Sequence, residues 1–138
     1  MTYVSEYGNA GAEIFYTGTV TGAEIYRAKN EFFAHRFLQK PRYVICDFTG
    51  AGAFDVSPED VDMIVAQDRR AMTSHPELME AVVAPRPVVF GLARMWQSKV
   101  DDVRPHTAVV KTRDEAIAWL RDAGLAEGLE DDERSVSA

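Results

Sequence analysis

Three helix-start signatures, each downstream of a β-rich run, constrain this 138-residue chain more than any other feature. Thr21-Gly-Ala-Glu and Thr112-Arg-Asp-Glu are capping boxes: the threonine hydroxyl accepts from a free N–H of the first helical turn, and a glutamate three residues on reaches back. At Ser57-Pro-Glu-Asp the serine caps, proline fits the first helical position, and the acids favour the positive end of the helix dipole. A chain that switches repeatedly from strand to helix builds a mostly parallel sheet with helices packed against it.

The elements follow from local pattern. Thr2 to Glu6 and Glu13 to Val20 are β-rich and are separated by Tyr-Gly-Asn-Ala-Gly, which predicts an N-terminal β-hairpin. Ile14 and Tyr16 share one face of it, Phe15 and Thr17 the other. After Thr21, Ile25, Ala28, Phe32 and Phe37 or Leu38 recur at helical spacing, and Pro41 ends that helix. Arg42 to Phe48 is a strand whose continuous Tyr-Val-Ile-Cys run suits a central position covered on both faces. The helix from Ser57 to about Ser74 has an inner stripe of Val61, Ile64, Val65 and Met72, interrupted by Asp68. Val88 to Ala93 is read as a further strand, followed by a short helix or irregular segment and a last strand from His106 to Lys111. A final amphipathic helix carries Ala116, Ile117 and Leu120 and stops at Gly124. The expected order is β-β-α-β-α-β-(short α)-β-α, an α/β domain over 1–124 with an acidic, disordered tail over 125–138.

The net charge of −7 is concentrated at the end: Glu127 to Ala138 holds five acids and one arginine, leaving about −3 on the rest. No basic stripe supports nucleic-acid binding or a polybasic membrane contact. No run reaches the roughly 20 apolar residues of a membrane span. The lone Cys46, inside an apolar run, reads as a buried core residue, and the three histidines are scattered without metal-ligand spacing. The expectation is a cytoplasmic protein with no cofactor and no metal.

Ligands in open α/β sheets lie beyond the carboxyl ends of the strands. Three segments leave such ends: Asp-Phe-Thr-Gly-Ala-Gly-Ala-Phe-Asp-Val-Ser after Cys46, Ala-Arg-Met-Trp-Gln after Leu92, and Lys-Thr-Arg-Asp after Val110. They supply Asp47, Thr49, Asp55, Arg94 and Trp96 as ligand-binding candidates, with Ser57, Gln97 and Lys111 beside them. The glycine-rich stretch lacks the Gly-Lys-Ser/Thr of a phosphate loop and misses the dinucleotide spacing. No nucleophile motif is present, so Ser57 is explained first as a cap.

The segments Gly-Thr-Val-Thr-Gly-Ala-Glu-Ile, Val-Ile-Cys-Asp-Phe-Thr-Gly-Ala-Gly, Val-Val-Phe-Gly-Leu-Ala-Arg-Met-Trp and the closing run from Val103 to Leu120 resemble the STAS domain. They resemble more closely the SpoIIAA-like proteins, a bacterial set related to the CRAL-TRIO lipid-carrier domain. Together they span most of residues 12–123. The reading is a non-enzymatic regulatory or binding module with a STAS-like fold that acts by contact with a protein partner or by holding a small ligand near the carboxyl ends of its strands, and the edges and exposed helices of such a mixed sheet make a homodimer the expected assembly. The resemblance places Asp55 and Ser57 on the family's aspartate and phosphorylated serine, with Val56 and Pro58 replacing the neighbouring serine and glycine. The lipid-carrier relation implies a smaller apolar ligand near Met95, Trp96 and the first helix. The alternative is a small apolar or anionic ligand-binding protein, or an enzyme, using Asp47, Asp55 and Arg94.

Overall fold

In the computed structural model, residues 2–35, 40–104 and 106–125 are described. The expected end of the first helix at Phe37 or Leu38 and the acidic segment 126–138 lie outside them. The order is β1 (Tyr3–Tyr7), β2 (Gly11–Thr21), α1 (Gly22–Phe33), β3 (Tyr43–Asp55), α2 (Pro58–Met72), β4 (Met79–Val83), α3 (Pro87–Val100), β5 (Thr107–Val110) and α4 (Arg113–Asp122). The five strands lie side by side in chain order, β1 antiparallel to β2 and every later pair parallel. The hairpin therefore closes within the chain. None of the described helices is long and apolar enough to cross a membrane.

Strand alternation divides the core between the two faces. Val44, Cys46 and Phe48 join Ile14, Tyr16 and Val82 beneath α1, α2 and α3. Tyr43 and Ile45 join Ala81 and Val83 beneath α4, which contributes Ala116, Ile117 and Leu120. Leu125 packs on the α4 side as well, and Trp119 covers its margin. All three expected caps form. Ser57 Oγ accepts from the Asp60 N–H at 3.1 Å while Asp60 Oδ2 accepts from the Ser57 N–H at 3.0 Å. Thr21 with Glu24, and Thr112 with Glu115, repeat the pattern.

Two sequence expectations are corrected. Val88 to Ala93 is not a strand but the first half of α3; the fourth strand is Met79–Val83. A short β-branched apolar run does not by itself distinguish strand from buried helix. The helix is decided by Pro87 at its first turn and by Val89, Ala93, Trp96 and Val100, which recur at helical spacing and are all buried. The true strand was masked by Glu80, a charged residue in a five-residue run.

The second correction concerns the glycine-rich stretch. Thr49 to Asp55 is not a loop but the continuation of β3, paired with β2 as far as Thr21↔Asp55. The register shifts twice, between Phe15 and Thr17 and again between Gly18 and Thr19, so β3 carries two more residues than β2 over this interval. At the first bulge Asp47 Oδ1 accepts from the Thr49 N–H at 2.9 Å, supplying the partner the shifted ladder withdraws. Gly18 takes φ +68° at the second, a conformation glycine adopts without a side-chain penalty. Beyond β4, the exposed edge of β3 is met by Arg86, whose Nη1 donates to the carbonyls of Ala51 and Gly52 at 2.9 and 2.7 Å.

Two glycines make opposite predictions. A Cβ on Gly11 would lie 2.1 Å from the Tyr43 carbonyl oxygen, across the β2–β3 pair. Gly11→Ala should therefore lower the urea-unfolding free energy by about 1–3 kcal/mol, the usual cost of overpacking. Gly91 lies within α3 with no atom near its would-be Cβ. Gly91→Ala should raise stability by about 0.5–1 kcal/mol.

Candidate functional site

The carboxyl ends of β2 and β3 deliver two helix starts to one corner. β2 runs straight into α1 at Thr21, and β3 runs into α2 through Asp55-Val56-Ser57. The two first turns touch. A Cβ on Gly22 would lie 2.4 Å from Asp60 Cβ and Cγ, so only glycine admits the Asp60 side chain that closes the Ser57 cap. Ser57 is half-buried, Asp55 and Glu59 are exposed, and the corner is acidic.

The remaining candidates do not gather there. Asp47 is buried at the first bulge. Alternation from Tyr43 and Ile45 puts its side chain on the α4 side of the sheet. Thr49 and Asp55 lie further along β3, Asp55 pairing six β2 residues beyond the Asp47 position, about 20 Å at strand rise. Arg94 does not leave a strand end, as its neighbours suggested; it is an exposed residue in the middle of α3, on the opposite side of the sheet from Asp47. Gln97 donates to the Thr107 carbonyl and hydroxyl, and Lys111 lies over the Phe90 ring. Trp96 enters the interior beneath the helices.

What it enters is a cluster of charge out of water. Lys29 of α1 reaches Asp68 Oδ2 of α2 at 2.7 Å and Glu80 Oε2 of β4 at 2.6 Å, all three side chains being at most 3% exposed. Trp96 Nε1 of α3 donates to the same Asp68 oxygen at 2.7 Å, and the Lys29 ammonium stands 5.1 Å from the Trp96 ring centre. Arg104, in the connection to β5, donates to the carbonyls of Asp68, His75 and Leu78 at 3.3–3.5 Å. Its Nε lies 3.9 Å from Glu80 Oε1, an ion pair without a hydrogen bond. Cys46 Sγ approaches Glu80 at 3.9 Å.

The energetics of these groups follow from burial and partners. Burial alone would lower the Lys29 pKa; Asp68 and Glu80 more than offset it and hold the ammonium above the ordinary lysine range. Burial, and then the neighbouring Asp68, raises the Glu80 carboxyl. Burial raises the Cys46 thiol and, well above its usual value, the Tyr16 phenol, so both stay neutral at physiological pH. Among the described residues, Tyr16 Oη, Asp68 Oδ1, Glu80 Oε1 and Arg104 Nε are buried without a hydrogen-bond partner. Sequence reading missed this cluster, although Asp68 stood out as the polar break in an apolar stripe.

Between the cluster and the Ser57 corner is a cavity of about 50 Å³, partly open to solvent, enclosed by β3, β4 and the three helices. Phe54, Val56, Val61 and Ile64 form its wall towards the corner, and Lys29, Glu80, Cys46 and Trp96 border it at the other end. A wider depression of about 660 Å³ lies at the amino ends of the strands, by Arg42, His75 and Glu77, away from both.

The described residues define the class: a five-stranded mixed sheet with an N-terminal hairpin, three helices on one face and one on the other, the STAS/SpoIIAA-like α/β fold. A solved structure that matches it is the anti-sigma factor antagonist SpoIIAA in its unphosphorylated form, with TM-score 0.55, 15% identity, and coverage of 86% of this chain and 97% of that one. No protein-family model and no curated protein matches the chain.

Removing the cluster's ammonium tests its pairing. Lys29→Met removes the cation shared by two buried carboxylates, leaving Asp68 the Trp96 hydrogen bond and Glu80 the 3.9 Å contact with Arg104, and should cost about 3–5 kcal/mol in chemical denaturation. Burial and Asp68 already hold the Glu80 carboxyl above its ordinary value, and loss of the ammonium, which opposes that rise, raises it further. The contribution of Glu80 is then fully present only at low pH and is lost as pH rises through that raised value. The deficit of the variant against the parent should therefore shrink on acidification from neutral pH.

Proposed function

We propose that this chain is a cytoplasmic, non-enzymatic regulatory module that acts by protein–protein contact at the corner where β2 and β3 feed α1 and α2. The observation that carries this reading is the placement of Ser57. It caps α2 at the carboxyl end of the central strand, in a fold shared with an anti-sigma factor antagonist. The separation of Asp47, Asp55 and Arg94 along β3 and across the sheet supports contact over catalysis, since acid–base chemistry needs its groups within reach of one substrate. The partner is a second protein or a second copy of the chain.

Ser57 is the regulatory residue in this reading. A phosphate on its Oγ would break the reciprocal bond with Asp60 and set added negative charge beside Asp55, Glu59 and Asp60. The helix N-terminus favours such a charge while the three carboxylates oppose it, so modification changes both the shape and the potential of the corner. Ser57→Ala should cost about 1 kcal/mol through loss of the cap alone.

Native mass spectrometry of the tagged chain purified from its own host tests the proposal. The expected spectrum contains a stoichiometric complex, with a second protein or as a dimer, that disappears in Ser57→Glu and Asp55→Lys variants whose circular dichroism matches the parent. A complex that persists in both variants, or a lone monomer, overturns it.

A further inference from the structure

We infer that the cavity beneath the corner is a binding site for a small, neutral, apolar molecule, and that filling it is felt at Ser57. The wall chemistry sets the ligand class: Ile25, Phe48, Ile64, Val82 and Val89 present hydrocarbon from every enclosing element. The charged end excludes an ionised head group. The Lys29 ammonium is already held by Asp68 and Glu80 at 2.7 and 2.6 Å and faces the Trp96 ring, so a carboxylate or phosphate would have to displace a paired carboxylate. A cation entering beside Glu80 would meet Lys29. Size narrows the class further. A dry cavity that takes benzene measures about 150 Å³, so about 50 Å³ admits only a group of a few heavy atoms while the helices stay in place.

Coupling to the corner follows from which residues form the wall. Phe54 and Val56 flank Asp55, and Val56 directly precedes Ser57. Val61 and Ile64 lie in the first two turns of α2, just beyond Asp60. A molecule in the cavity contacts the residues on either side of the cap, and an interior packed to crystal-like density transmits such a contact rather than absorbing it. By linkage, whatever binds the corner in one shape changes the affinity of the cavity by the same factor. The regulatory consequence rests on the protein-contact reading above; the binding and its effect on Ser57 do not.

Xenon, a neutral atom of suitable size, is the probe. Methyl and amide NMR spectra of the full chain under increasing xenon pressure should show saturable shifts at Ile25, Ile64, Val82 and Val89 methyls, and shifts of the Ser57 and Asp60 amides with the same midpoint. Sodium octanoate, an anionic apolar probe, should leave those methyls unmoved. Val89→Leu, which adds one methylene to the wall, should abolish the xenon response; the parent spectra decide the matter if that variant does not fold. Shifts that grow linearly without saturating, Ser57 and Asp60 amides that stay still, saturable octanoate binding, or an unchanged response in a folded Val89→Leu each overturn the inference. Because no partner is present, failure here is distinct from failure of the host-purified complex.

Discussion

The ammonium of Lys29 lies 2.6 Å from Glu80 and 2.7 Å from Asp68, with all three side chains withdrawn from water. Each charge comes from a different element: α1, α2 and β4. Trp96 adds α3 through the Asp68 oxygen, and Arg104 adds the connection to β5 through backbone carbonyls. Apolar contact alone is tolerant of sliding, because one methyl packs against another with little directional preference. A buried ammonium between two carboxylates is not, since a displaced charge loses its partner where water cannot replace it. The cluster thereby sets how the three helices sit on the sheet, and with them the shape of the cavity and the corner above it.

That corner depends on close approach as much as on charge. Gly22 lets the Asp60 side chain lie against the start of α1, and Asp60 closes the Ser57 cap. The long β3 reaches the corner only because two bulges add residues relative to β2, the first tied by Asp47 to the Thr49 N–H. Asp47 and Asp55, which look alike in the sequence, thus do different work. One closes a bulge inside the sheet; the other stands exposed beside the Ser57 cap.

Much of the fold was legible because its signals are local. The capping hydroxyls of Thr21, Ser57 and Thr112 and the acids three residues on needed no tertiary information, and the N-terminal hairpin follows from two β-rich runs around a Gly/Asn turn. The fourth strand was not legible. Glu80 looks like a surface residue until Lys29, distant in sequence, is brought against it, and Val88 to Ala93 has the composition of a strand but the spacing of a helix. The same reason hid the charge cluster: Lys29, Asp68, Glu80 and Arg104 meet only through tertiary packing. The Ser57 cap is visible because it is built from one contiguous segment, whereas its contact with Gly22 is not, and Arg94 follows a run whose composition suits a strand as well as a helix.

The most direct test of the charge cluster that orders this face is the nitrogen-15 spectrum of the lysine side chains at neutral pH. A paired and buried ammonium exchanges its protons slowly and gives one resolved Lys29 NH₃⁺ resonance among lysines otherwise averaged with water, and Asp68→Asn should weaken its protection. A Lys29 signal that exchanges as fast as the surface lysines, or one with the shift of a neutral amine, would contradict the pairing on which the cavity and the Ser57 corner depend.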